Sequence, residues 1–221
     1  MAKTPMDLER FLEPDGTWCQ VLGPVPDRRD ARRPALFLDR DGVVVEEVHF
    51  LHRPEDVILM ANAARVIARA RALGMAVVLA TNQSGIARGL YGWEAFAATQ
   101  ERIVAALEAE GAALDMVLAC PFHPDGKSPY RGDHPCRKPR PGMLQRAAAR
   151  LDLDLAASWV IGDRARDLEA GRAAGCAGGL HVLTGHGRRE RAAATALQTD
   201  DFDVHLGASI AAAANLPLVQ G

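Results

Sequence analysis

Ala35-Leu36-Phe37-Leu38-Asp39-Arg40-Asp41-Gly42 is the stretch that decides how this chain folds. Four apolar residues in an unbroken run fit a strand buried on both faces, and such strands belong to parallel sheets covered by helices. The run stops at two carboxylates one residue apart, followed by a glycine. Acids at the carboxyl end of a buried strand stand where open α/β sheets bind their ligands.

Downstream, the same kind of segment recurs in alternation with helical patterns. Residues 61–73 place Val66, Ile67, Ala70 and Leu73 at helical spacing, with Gly74 as a stop. Ala76–Ala80 reads as a second buried strand, and residues 93–110 as a helix with Phe96, Ile103, Val104 and Leu107 on one stripe. Leu114–Ala119 is a third strand, and Pro141 opens a helix to about Leu151, since proline suits the first turn. Trp159–Ile161 is a fourth strand, Ala165–Ala174 a helix stopped by Gly175, and Gly179–Leu183 a fifth strand. From residue 188 onward one or two Ala-rich helices are expected. The alternation predicts a doubly wound parallel sheet of the α/β class. The second strand runs straight into a loop and helix, so no large cap domain fits there, and residues 43–58 can form only a flap. Residues 1–34 read as an N-terminal extension and 35–221 as the domain. Within the extension, Pro5–Leu12 suits a short helix. Trp18–Leu22 either packs on an edge of the body or belongs to a solvated arm.

Composition excludes several classes. A chain of 221 residues with net charge −2 suits one domain with a core of its own and lacks the basic balance of a general nucleic-acid binder. No apolar run approaches the roughly 18 residues of a membrane span, and the first residues lack a secretory apolar stretch. Four cysteines are too few for a disulfide scaffold. A soluble, cytoplasmic chain with reduced thiols is expected, either monomeric or a small homo-oligomer, with no nucleic-acid or membrane partner. Of the 26 basic residues only Lys3, Lys127 and Lys138 are lysines, so Lys138 in Arg137-Lys138-Pro139 stands out.

The predicted strand ends collect one set of groups: Asp39 and Asp41, then Thr81-Asn82-Gln83-Ser84, then Lys138, then Asp163 and Asp167. Clustered carboxylates repel unless a cation joins them, and all-oxygen ligands favour Mg²⁺. A carboxylate can form an aspartyl-phosphate, whose making and breaking needs charge neutralisation around the phosphoryl oxygens. A plainer reading keeps Asp163 and Asp167 as helix N-terminal acids and Thr81 as a turn residue.

In this order, Asp-x-Asp-Gly, Thr, Lys and Gly-Asp-x-x-x-Asp resemble the haloacid dehalogenase (HAD) superfamily of phosphohydrolases over residues 35–185. The resemblance implies that Asp39 is the nucleophile and Asp41 the general acid and base. It places Mg²⁺ on Asp39, the Asp41 backbone carbonyl and Asp163, with Asp167 behind them, and the transferring phosphoryl group on Thr81 and Lys138. Thr81–Gly85, Arg137–Met143 and His52-Arg53-Pro54 further resemble the branch of histidinol-phosphate and D,D-heptose 1,7-bisphosphate phosphatases. That likeness implies a small phosphorylated substrate held by Asn82, Gln83, Ser84, Arg137 and Arg164, the last standing where the branch usually has Lys. Glu47 and His52 would reach it from the flap. The branch often carries a zinc loop before Arg-Lys-Pro; here Cys120, His123, His134 and Cys136 stand in its place, with spacing altered at two of the four. Without zinc, packing of Pro121, Phe122, Pro124 and Tyr130 must order that loop. The rival readings are a phosphatase for another small phosphomonoester and a phospho-accepting signalling module.

Overall fold

The computed structural model describes residues 8–24 and 32–216. Its centre is a seven-stranded sheet: β1 (Trp18–Val21), β2 (Arg33–Leu38), β3 (Ala76–Asn82), β4 (Met116–Cys120), β5 (Leu153–Gly162), β6 (Gly178–Val182) and β7 (Asp203–Gly207). The spatial order is β1-β4-β3-β2-β5-β6-β7, parallel throughout except for β1, which runs antiparallel to β4. Helices α1 (Ala63–Ala72), α2 (Ser84–Arg88), α3 (Trp93–Ala109), α4 (Gly142–Leu151), α5 (Ala165–Ala174) and α6 (Gly187–Thr195) connect the strands.

The expected doubly wound sheet is therefore present, and the period of two explains how β2 serves both faces. Leu36 and Leu38 join the core with Ile67, Phe96 and Ile103, whereas Ala35 and Phe37 join the opposite core with Val78, Met116, Leu144 and Phe202. Helix α1 follows its stripe, burying Val66, Ile67 and Ala70 while Arg65 and Arg69 face outward. Beyond β2 the chain winds first towards β3 and β4, then returns to the other side through β5, β6 and β7. The reversal leaves a crevice at the carboxyl ends of β2 and β5, where ligands bind in such sheets.

The two ends of the chain depart from expectation. The described part of residues 1–34 packs on the edge of the body: β1 extends the sheet, and β2 already begins at Arg33. Trp18 is buried among Phe11, Trp93 and Phe96. Of the proposed Pro5–Leu12 helix, residues 5–7 lie outside the described residues, and Glu9–Phe11 form a single 3-10 turn. In the tail, α6 is the expected Ala-rich helix, but β7 follows it, and Ile210–Asn215 is 3-10 rather than α. Only Gly207 of β7 is buried, so this edge strand carries too weak an apolar pattern to be read from sequence.

Trp18→Ala separates an integral edge strand from a loose arm. Removing a buried Trp should cost about 3–5 kcal/mol in urea unfolding, whereas a change on a solvated arm stays within about 0.5 kcal/mol.

Candidate active site

Strand register brings the acids together. Leu38 of β2 pairs with Leu79 of β3 on one side and Ile161 of β5 on the other, so Asp39 lies level with Ala80 and Gly162. The Asp39 amide donates to the Ile161 carbonyl at 3.0 Å, holding the strand ends in line. Asp163 follows β5 directly, and Asp167 sits in the first turn of α5, where its Oδ2 accepts from the Arg164 amide at 3.0 Å. Potential ligand atoms of Asp39, Asp163 and Asp167 lie within 4.8 Å of one another.

Lys138 arrives from the loop before α4. Its Nζ lies 2.7 Å from both Asp39 Oδ1 and Asp167 Oδ1 and donates to the Ala80 carbonyl at 2.8 Å. The Asn82 amide fixes the Lys138 backbone: Nδ2 donates to its carbonyl at 3.0 Å and Oδ1 accepts its N–H at 3.1 Å. Asn82 thus holds the loop and also lines the same cavity as Asp39 and Asp41.

Electrostatics distinguish the acids. Burial pushes the Asp39 carboxyl up to about 6, with Lys138 opposing and Asp167 and Asp41 adding to the rise. Asp163 is pushed up to about 8, by burial first and then by Asp39 and Asp167. Asp167 resists the same burial penalty because Lys138 and Arg166 hold its carboxyl below the usual range. One ammonium cannot balance three buried carboxylates, so the cluster has room for further positive charge. Asp163 Oδ2 accepts the His186 amide at 2.6 Å, while buried Oδ1 has no hydrogen-bond partner. Gly42 (φ +80°) and Gly185 (φ +53°) close around this carboxylate; a Cβ on either would come within 2.9 and 2.2 Å of Asp163 Oδ2. A buried all-oxygen set with an orphaned carboxylate oxygen fits a hard divalent cation such as Mg²⁺.

Asp41 stands across the site. Arg40 Nε donates to its two oxygens at 3.0 and 3.2 Å, and the Arg40 Nη2 holds the Leu51 carbonyl at 3.0 Å, tying the flap to the acid. Tyr91 donates to Gln83 Oε1 at 2.6 Å, which turns Gln83 Nε2 towards Thr81 Oγ1 at 2.8 Å and Asp41 Oδ2 at 3.2 Å. Gln83 accordingly orients catalytic candidates. The flap is anchored by Glu46 N–H to Ile58 O and Met60 N–H to Val44 O, both 2.9 Å.

Asp39, Arg40, Asp41, Thr81, Gln83 and Tyr91 line a cavity of about 220 Å³ together with an arginine wall of Arg88, Arg137, Arg164 and Arg166. Ser84 and Glu47 reach it as expected. Burial, followed by Asp41 and Asp39, pushes Glu47 up to about 7, and His186 lies 3.8 Å from its Oε1. His52 does not line this cavity: it stacks on Tyr91, and its Nδ1 lies 2.7 Å from the Phe50 carbonyl, facing an outer hollow. Sequence reading missed Arg40, Arg88, Tyr91, Arg166 and His186, and gave His123 to the zinc loop rather than to this cavity. Arg88 had a usable signal, being four residues after Ser84 on one helix face; Arg40 was hidden as the spacer between two acids.

The four zinc-loop residues do not assemble into one site. Among the described residues, the groups of three or more metal-ligating side chains within 4.8 Å are the acidic cluster and Asp15-His134-Cys136. His123 instead turns to Arg88, 3.1 Å away, and lines the cavity.

Comparison with known proteins agrees with this geometry. Residues 135–206 match the family model described as HAD-hydrolase-like. The chain is 48% identical over 150 residues to the D-glycero-beta-D-manno-heptose-1,7-bisphosphate 7-phosphatase of Mesorhizobium japonicum, covering 67% of this chain and 69% of that one. It is 44% identical over 162 residues to the D-glycero-D-manno-heptose-1,7-bisphosphate 7-phosphatase of Thermosynechococcus vestitus, covering 71% and 82%. The chain belongs to the HAD-like phosphatase family. Among solved structures, the D,D-heptose 1,7-bisphosphate phosphatase of B. bronchiseptica, complexed with magnesium and phosphate, superposes with a TM-score of 0.74 at 36% identity, over 85% of this chain and 99% of that one. This HAD-like chain is thus a phosphatase, and the signalling-module reading falls away.

A proton competes with the cation for Asp163 below about pH 8, so Mg²⁺ binding should strengthen as pH rises. The gain in Tm from excess Mg²⁺ over EDTA should grow between about pH 6 and pH 8.5, as stabilisation by a bound ligand rises with the logarithm of its affinity. A gain independent of pH would place the cation elsewhere.

Proposed function

We propose that this phosphatase removes one phosphate from a small sugar bisphosphate through an aspartyl-phosphate on Asp39. D-glycero-D-manno-heptose 1,7-bisphosphate, the substrate in its relatives' names, is the best fit. One observation carries the reading: a single small cavity is lined both by Asp39, Asp41 and Thr81, with Lys138 bonded to Asp39 behind them, and by four arginines.

The Asp39 carboxylate attacks phosphorus, and the bond from phosphorus to the sugar oxygen breaks. Asp41 gives its proton to that departing oxygen. It then takes a proton from a water molecule, which attacks the acyl phosphate, releases inorganic phosphate and restores Asp39. Lys138 holds Asp39 in place and, with the Thr81 hydroxyl, offsets charge on the phosphoryl oxygens. Asp39, Asp163 and the Asp41 carbonyl would hold Mg²⁺, which would supply further neutralisation of that charge. Asp167 acts through Lys138 by keeping the ammonium charged and fixed.

The arginine wall argues for a second anionic group on the substrate. Burial, then Arg166, lowers the proton affinity of the Arg137 guanidinium, and Arg166 Nε is buried without a hydrogen-bond partner. Crowded guanidiniums with spare donors suit a phosphate. This favours a bisphosphate over histidinol phosphate, which has one phosphate and a cationic amine. Four buried free cysteines favour a reducing compartment such as the cytoplasm. Among the described residues no helix is long and apolar enough to cross a membrane. We expect a monomer or small homo-oligomer with no nucleic-acid partner.

Phosphate release from heptose 1,7-bisphosphate, histidinol phosphate and p-nitrophenyl phosphate tests the reading. Asp39→Asn should abolish Mg²⁺-dependent turnover of every substrate, and Lys138→Ala should lower kcat about 100- to 1000-fold. Arg166→Ala should lower kcat/KM about 10- to 100-fold on the bisphosphate, the loss of one charged hydrogen bond, while sparing p-nitrophenyl phosphate. Full turnover by Asp39→Asn would remove the nucleophile from the scheme.

A further inference from the structure

We infer that the N-terminal segment is a metal-free clasp, in which Arg146 and Asp15 hold the substrate loop where a zinc site was expected. The loop in question, residues 121–140, carries both Arg137 and Lys138.

The contacts run from α4 to the arginine wall through hydrogen bonds and ring packing, with one looser approach of 3.7 Å between Asp15 and His134. Arg146, on α4, donates from Nη2 to Asp15 Oδ2 and from Nη1 to Thr17 Oγ1. Thr17 in turn donates to Asp15 Oδ1 from Oγ1 at 2.6 Å and from its amide at 3.1 Å. Asp15 Oδ2 lies 3.7 Å from His134 Nε2. The His134 ring stacks on Phe122 at 4.3 Å and 12°. The Phe122 carbonyl accepts from Arg137 Nη1 at 2.8 Å. Gly16 (φ +79°) lets the turn lie on Tyr130, since a Cβ there would come within 3.1 Å of the ring. Tyr130 meets Phe122 edge-on and accepts from Trp93 Nε1 at 2.9 Å. Glu13 adds a second pair to α4, accepting from Arg150 at 2.8 Å.

Asp15, His134 and Cys136 are close enough to ligate a metal, but their bonding is that of a site already neutralised. His134 Nδ1 accepts the Cys136 amide at 3.1 Å, so the neutral ring carries its proton on Nε2. That N–H faces Asp15 and offers no lone pair. Asp15 has its counter-ion in Arg146, and a dication there would meet a fixed guanidinium. An intramolecular cation thus supplies the charge that zinc would bring, and does so from helix α4, which packs on the sheet.

The kinetic consequence rests on the proposed bisphosphate reading; the metal and exchange consequences do not. Lys138 is held independently by Asn82, Asp39 and Ala80. Loosening the clasp should therefore act on Arg137.

Full-length protein from zinc-supplemented growth should contain far less than one zinc per chain by elemental analysis. Asp15→Asn and Arg146→Gln should speed hydrogen exchange of amides 121–137, with Arg146→Lys restoring part of the protection. The same two variants should raise KM for the bisphosphate about tenfold (about 1.4 kcal/mol), with kcat within about twofold and p-nitrophenyl phosphate kinetics unmoved. Stoichiometric zinc whose chelation unprotects the loop would overturn the clasp. So would Asp15→Asn with unchanged exchange, or with equal loss of kcat on both substrates. A wild-type chain inert on the bisphosphate but losing loop protection in Asp15→Asn would sink the substrate and leave the clasp standing.

Discussion

A single buried ammonium, Lys138, sits between the carboxylates of Asp39 and Asp167, and the site is organised by that contact. Burying like charges side by side is costly, and removing one member of a paired set leaves an uncompensated charge behind. The fold arranges the compensation from three directions: β2 supplies Asp39, α5 supplies Asp167, and the loop before α4 supplies the cation. Because Lys138 also donates to the Ala80 carbonyl, it anchors that loop to β3 as well. Charge balance and loop position are therefore one constraint.

The arrangement leaves a deliberate imbalance. Asp163 keeps a buried oxygen without a hydrogen bond, and its carboxyl holds a proton up to about 8. The same cavity carries a wall of guanidiniums, where burial and then Arg166 depress Arg137. Neither half is at rest alone. A cation would relieve the first and an anion the second. Neutral amides hold the halves in register: Asn82 clamps the Lys138 backbone, and Gln83 bridges Thr81, Asp41 and Tyr91.

The edge of the sheet carries a second, less obvious dependence. Strand β1 covers β4, as an edge strand needs, and the turn before it delivers Asp15 and Gly16 to the substrate loop. The amino-terminal segment and the arginine wall are thereby mechanically continuous, although more than a hundred residues separate them along the chain.

The periodicities of two and 3.6, and acids placed where apolar runs end, were legible in the amino-acid order alone. They identified the α/β class, the central strands, and Asp39, Asp41, Asp163 and Lys138, because burial and charge mark such positions locally. Other assignments depended on partners distant in sequence. Asn82 and Gln83 line the cavity, and only the fold shows that their amides also hold Lys138 and Asp41. His52 looks like a flap ligand until it stacks on Tyr91. Cys120, His123, His134 and Cys136 share a loop, yet Arg88 draws His123 to the cavity while Asp15 and Arg146 meet His134. β7 lacked an apolar signal because an edge strand buries little. Spacing along a chain determines which residues can reach a place; only packing across the sheet decides which of their hydrogen bonds are already used.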